Sequence, residues 1–82
     1  MKFEKISKDK IKVTITLDEL NKNDIDFNSF MANSKETQSL FLDVLNTAEK
    51  DYGFSTDNYD LKVETIALSD RNFYINYYKN SK

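Results

Sequence analysis

The stretch Ile11-Lys12-Val13-Thr14-Ile15-Thr16-Leu17 sets the frame of the fold. Apolar and polar residues alternate strictly. Ile11, Val13, Ile15 and Leu17 therefore share one face of an extended strand, and Lys12, Thr14 and Thr16 the other. β-branched side chains fill most of the run, as a pleated surface favours. A strand with one apolar face needs a neighbour to pair with and a layer to cover it. The neighbour precedes it: Phe3 and Ile6 lie in a short run that ends in the polar turn Ser7-Lys8-Asp9-Lys10, and the two runs read as a β-hairpin.

The covering layer follows. Asp18 is expected to accept backbone N–H bonds and open a short helical turn carrying Leu20, which Asn21-Lys22-Asn23-Asp24 ends. A second short helix is expected after Asp26, with Phe27, Phe30 and Met31 turned inward. Ser34 is a good N-cap for the main helix. From there Leu40, Phe41, Val44, Leu45, Ala48 and Tyr52 recur at spacings of three and four, which puts them on one stripe. Glu36, Asp43, Glu49 and Lys50 fall on the wet side. Gly53, the sole glycine, fits the left-handed position that closes a helix, and Phe54 is placed to pack back on the last turn.

After the loop Ser55-Thr56-Asp57-Asn58, alternation resumes in Leu61 to Leu68 and, past the turn Ser69-Asp70-Arg71-Asn72, in Phe73 to Tyr78. These runs predict a second hairpin, with a frayed polar tail from Lys79 to Lys82. The order ββ-αα-ββ defines an α+β fold in which one antiparallel four-stranded sheet carries helices packed on one face. Residues 1–82 are expected to form a single domain. Its core should combine Phe3, Val13, Ile15, Leu61, Val63, Phe73, Ile75 and Tyr77 with Leu40, Phe41, Val44, Leu45 and Ala48 of the long helix. The order of strands in the sheet does not follow from the pattern.

Composition removes most routes to chemistry. The chain has no histidine, cysteine, proline or tryptophan. It thus lacks an imidazole base or ligand, a thiol nucleophile and a glycine-rich phosphate loop. No cofactor or metal is expected. Carboxylates remain, and Asp57 with Asp60 or Asp24 with Asp26 could form an acid–base pair. Such a pair needs burial and convergence, whereas these sit in polar loops where turn formation explains an Asp. Asn23-Asp24-Ile25-Asp26 lacks the spacing, turn glycine and terminal Glu of a calcium loop. A net charge of −2 argues against nucleic-acid binding, which needs excess cations to displace counterions. No run approaches the length of a membrane span, and the charged start Met1-Lys2-Phe3-Glu4 has no signal-peptide character. With no cysteine, a soluble cytoplasmic chain is expected.

What remains is surface. The sheet face opposite the core should present Lys12, Thr14, Lys62, Glu64, Ile66, Tyr74, Asn76 and Tyr78. Ile66, Leu68, Tyr74 and Tyr78 are candidate protein-binding residues there, since Tyr offers contact area at low entropic cost. Leu42 is a fifth candidate, because it lies off the core stripe of the long helix. Phe73 to Tyr78 is β-prone and uncharged, so an open edge there would pair with a second copy of the chain.

The collinear set Glu4-Lys5-Ile6-Ser7, Asp9, Ile11-Lys12-Val13, Ile25-Asp26-Phe27, Asn33-Ser34 and Leu40-Phe41-Leu42-Asp43-Val44-Leu45, followed by Ala48, Gly53-Phe54 and Leu61 to Leu68, resembles the MecA adaptor family. The resemblance is to the N-terminal domain and covers nearly the whole chain. It implies a non-enzymatic adaptor domain that captures substrate proteins, such as a competence transcription factor. It further implies that a separate C-terminal domain engages a ClpC-type unfoldase. The chain departs from the family where Tyr59-Asp60 replace a Gly-Pro pair, and where Met31 and Leu42 stand in place of frequent Trp. Changed side chains at a contact site would alter partner choice. The alternative expectation is a homodimeric regulatory module that self-associates and has no adaptor role.

Overall fold

Strict alternation at 11–17 becomes the second strand of an antiparallel sheet. The computed structural model describes residues 1–69 and 71–81, the side chain of Ser81 excepted. Asp70 of the expected turn and Lys82 of the expected tail lie outside the described residues. The strands are β1 (Lys2–Ser7), β2 (Lys10–Thr16), β3 (Tyr59–Ala67) and β4 (Asn72–Ser81). Between the hairpins come helices α1 (Leu17–Asn21), α2 (Phe27–Met31) and α3 (Lys35–Tyr52). The sheet order is β1-β2-β4-β3, so the two hairpins meet through β2 and β4. The expected α+β architecture, with one four-stranded antiparallel sheet and helices on one face, is the one observed.

Register explains burial. Val13 stands opposite Ile75, Ile15 opposite Phe73 and Ile11 opposite Tyr77, and all six side chains are buried against the helices. Above them lie Phe30 from α2 and Leu40, Val44 and Ala48 from α3. Phe30 is the hub of this layer. Its ring centroid lies 5.0 Å from that of Phe73 and 5.9 Å, edge-on, from that of Phe41. Phe54 is fully buried, as a hydrophobic contact after a helix stop requires.

The helix ends are chemically specified. α1 is opened by Thr16 rather than by Asp18. The Thr16 hydroxyl accepts from the Glu19 N–H at 3.3 Å, while the Glu19 carboxylate accepts from the Thr16 N–H at 3.2 Å. This is a reciprocal capping box, which takes precedence because it satisfies two terminal donors. Ser34 caps α3 as expected, accepting from Thr37 N–H at 3.2 Å, and Asp26 caps α2, accepting from Ser29 N–H at 2.7 Å. Thr37 is buried, and its hydroxyl donates to the Ser29 carbonyl at 3.1 Å, which ties α3 to α2.

Gly53 closes α3 at φ 65°, and the Phe54 N–H reaches back to the Ala48 carbonyl at 3.1 Å. A Cβ at Gly53 would meet nothing within 4 Å, so Gly53→Ala should cost only the left-handed backbone penalty. That is about 1–2 kcal/mol, readable as a lower urea midpoint with an unchanged slope.

Burial pushes the Glu19 carboxyl up, but hydrogen bonds from the amino terminus and the Thr16 backbone, with the nearby positive charge, outweigh it and hold the group below its ordinary value of 4.5. The Glu19 carboxylate lies 2.6 Å from the Met1 amino group. A depressed carboxyl stabilises the fold fully above its unfolded-state pKa, and that contribution drains away as pH falls through the folded value. Thermal melts of Glu19→Gln should therefore lie below those of the parent near neutrality and converge with them in acid.

Other expectations also need correction. Phe27 and Met31 are exposed rather than inward, because a five-residue helix turns only one side chain, Phe30, fully to the core. Lys79 is not in a frayed tail. It continues β4, its ammonium donates to the Ser55 carbonyl at 2.8 Å, and it sits 4.7 Å over the Phe54 ring. Asn76 belongs to the wet face by parity yet is buried, because β4 is a central strand with Lys12 and Glu64 as its flanking partners.

Candidate protein-binding surfaces

The helical layer does not reach across the whole sheet. Leu40, Val44 and Ala48 seat α3 on the core, but over the inner face of edge strand β3 the cover stops. Val63, expected in the core, is 39% exposed for this reason. Between α3 and β3 runs a groove of about 520 Å³, within the size range of ligand and peptide sites.

Its walls follow helical spacing. Gln38, Phe41, Leu42 and Leu45 form a row at i, i+3, i+4 and i+7, beside the row that enters the core. Leu61, Val63 and Thr65 make the floor, and Phe30 and Met31 close one end. Among the described residues no charged side chain lines it. Two of its polar side chains are engaged: the Tyr77 hydroxyl donates to the Phe41 carbonyl at 2.9 Å, and the Gln38 amide donates to the Asn33 carbonyl at 3.0 Å. Burial pushes the Tyr77 phenol well above its ordinary value. The groove thus offers a mainly apolar surface. Leu42, 63% exposed, and Met31, 47% exposed, are the two large apolar side chains it leaves most open to solvent.

The five residues singled out from sequence divide between two surfaces. Leu42 belongs to the groove. Ile66, Tyr74 and Tyr78 lie on the opposite side of the sheet, where Ile66 stands across from Tyr74, and Leu68 follows the end of β3. Ile66 and Leu68 are exposed, but the tyrosines are half-buried. The Lys12 ammonium covers the Tyr74 ring at 4.6 Å and the Lys10 ammonium covers Tyr78 at 4.9 Å. The Tyr78 hydroxyl donates to Glu64 at 3.2 Å. Those rings are therefore largely engaged within the domain. The groove row was missed as a row. Its signal was Leu40-Phe41-Leu42 followed by Val44-Leu45, an apolar arc wider than one packed stripe needs.

The carboxylates considered from sequence do not assemble a centre. Asp24, Asp26, Asp57 and Asp60 are all exposed, and Asp26 is a helix cap held below its ordinary value by the Ser29 backbone N–H. Among the described residues no group of three or more metal-ligating side chains comes together, and no helix is long and apolar enough to cross a membrane.

The fold is thus an α+β sheet-and-helix layer with a mainly apolar groove between α3 and β3. The sequence profile of the family described as negative regulator of genetic competence (MecA) matches residues 1–81, and the chain belongs to that family. It is 36% identical over 58 residues to the adapter protein MecA of Pediococcus pentosaceus. That match covers 71% of this chain and 24% of the relative, so the chain corresponds to about a quarter of that protein's length. A solved structure of the substrate-binding domain of MecA superposes with a TM-score of 0.77 at 19% identity, covering 96% of this chain and 86% of the other. That likeness establishes the fold. Met31 and Leu42 both line the groove.

Proposed function

We propose that residues 1–82 act as a single non-enzymatic substrate-recognition domain of a cytoplasmic MecA-type adaptor. It would bind substrate proteins, a competence transcription factor among them. A ClpC-type unfoldase would be reached through a separate domain outside residues 1–82. The observation that carries the reading is the α3–β3 groove, with Leu42 and Met31 exposed in its lining and no charged side chain there among the described residues. A small domain that leaves such surface uncovered gives up hydrophobic stabilisation, which a partner would restore on binding. Tethering a target in this way raises its effective concentration at the protease and needs no reactive side chain. Ile66, Leu68, Tyr74 and Tyr78 form a second, flatter contact surface on the far side of the sheet.

The test is retention of a purified competence transcription factor by the immobilised chain, with a variant carrying Leu42→Lys as control. Retention by the parent and its loss in the variant support the reading. No retention by the parent overturns it.

A further inference from the structure

We propose that an extended segment of a partner protein adds to the edge of β3 as a fifth, antiparallel strand. The segment carries large apolar side chains on alternate residues, a basic residue opposite Glu64 and an acidic one opposite Lys62. The inference rests on the groove reading and names the form in which the partner enters. Phe73 to Tyr78, expected to pair if open, is not the receiving edge, because β4 is flanked by β2 and β3.

The two edges of the sheet differ. β1 is six residues long, bears Lys2 and Lys5, and has a register shift between Lys5 and Ser7. Such features blunt an edge. β3 runs nine residues and pairs with β4 without a shift from Tyr59 to Ala67. Just past its end the Leu68 N–H donates to the Asn72 carbonyl at 2.9 Å, in the same register. Antiparallel bonding alternates, so Lys62, Glu64 and Ile66 turn their backbone groups to β4, and Leu61, Val63 and Thr65 turn theirs out of the sheet. Those three residues also make the groove floor. Outward backbone groups and apolar floor thus belong to the same residues.

This favours a strand over a helix. A helix is about 10–12 Å across, so a groove of about 520 Å³ encloses little more than one turn of it. A strand bonds the edge and hangs every second side chain over the groove, towards Leu42. Leu, Val and Thr, the pattern of β3 itself, would leave most of that volume empty, so the segment comes from a different protein with larger apolar residues.

Charge sets the register. Opposite Lys62 and Glu64 the strands form non-bonded pairs, where Cα atoms approach to about 4.5 Å. Lys62 is exposed and makes no ion pair among the described residues, and Glu64 accepts from the Tyr78 hydroxyl. The order apolar-basic-apolar-acidic-apolar, laid antiparallel along Thr65 to Leu61, complements both. A slip of two residues one way sets acid against Glu64. A slip the other way sets base against Lys62 and acid against Asp60.

Fluorescently labelled, end-capped peptides built on leucine-lysine-phenylalanine-glutamate-leucine, titrated into the 82-residue chain, test this. N-methylation of the apolar residues removes the donors aimed at β3 and should weaken binding about a hundredfold. N-methylation of the lysine and glutamate, whose N–H groups point to solvent, should change it less than about threefold. Exchanging lysine and glutamate within the peptide should weaken binding about tenfold, and Lys62→Glu with Glu64→Lys in the chain should reverse that preference. Circular dichroism should show this variant folded, because both sites are exposed. Absence of binding, equal effects of the two methylation patterns, or an unreversed charge preference overturns the proposal. So does a peptide that binds as a helix, or an edge closed to it by a second copy of the chain. If affinity ignores methylation yet falls with Leu42→Lys, strand addition is wrong and the groove reading stands.

Discussion

Substitution of Met31→Ser together with Leu42→Lys is expected to weaken capture of a substrate protein about a hundredfold while leaving the melting temperature nearly unchanged. Both side chains line the groove and both are largely in solvent, so the unbound domain gains little from them. On binding, each would contribute the burial of a large apolar side chain, roughly 1.5–3 kcal/mol, and a lysine would be driven into an uncharged lining. Exposed substitutions of this kind change stability by about 0.5 kcal/mol or less. Calorimetric titration alongside a thermal melt separates the two effects. Loss of binding with an intact melt locates recognition in the groove. Undiminished binding places it elsewhere.

Phe30→Ala is expected to do the reverse, removing the fold and binding together. Phe30 is 2% exposed, touches Phe73 and Phe41, and lines the groove's end. Truncating such a ring costs about 3–5 kcal/mol. A domain of this size has about 5 kcal/mol or a little more in total. The melting temperature should fall by roughly 15–30 °C, at about 4–8 °C for each kcal/mol. A folded variant with a melt within a few degrees of the parent would show that α2 is peripheral to the core.

Local signals account for much of the architecture. Alternation at 11–17, the cap Ser34, the lone Gly53 and the two hairpins all act within a few residues and are observed where expected. What local pattern does not specify is which strand lies beside which. β4 carries the most aromatic and least charged sequence, which suits a central position, yet those features also suit an open sticky edge. Asn76 is buried and Val63 exposed for the same reason: one strand is central and the other is an uncovered edge. Lys79 read as a tail residue because its partners, Ser55, Phe54 and Tyr59, lie far away in sequence.

The candidate site shows the same division. Leu42 was identifiable because it falls off the core stripe. Its groove depends on where α3 ends its cover of the sheet, a tertiary fact set by Thr37, Leu40, Val44 and Ala48 jointly. Tyr74 and Tyr78 were identifiable as outward residues of a strand. Their coverage by Lys12 and Lys10 depends on the pairing of β2 with β4, two strands from different hairpins.

We propose that a protein partner of this MecA-family chain docks in the α3–β3 groove. The most direct measurement is a two-dimensional amide NMR titration of the isotope-labelled chain with a competence transcription factor. The account expects the largest shifts and broadening at Met31, Gln38, Leu42, Leu45, Val63 and Thr65. Perturbation centred instead on Ile66, Leu68, Tyr74 and Tyr78, with the groove silent, would contradict it.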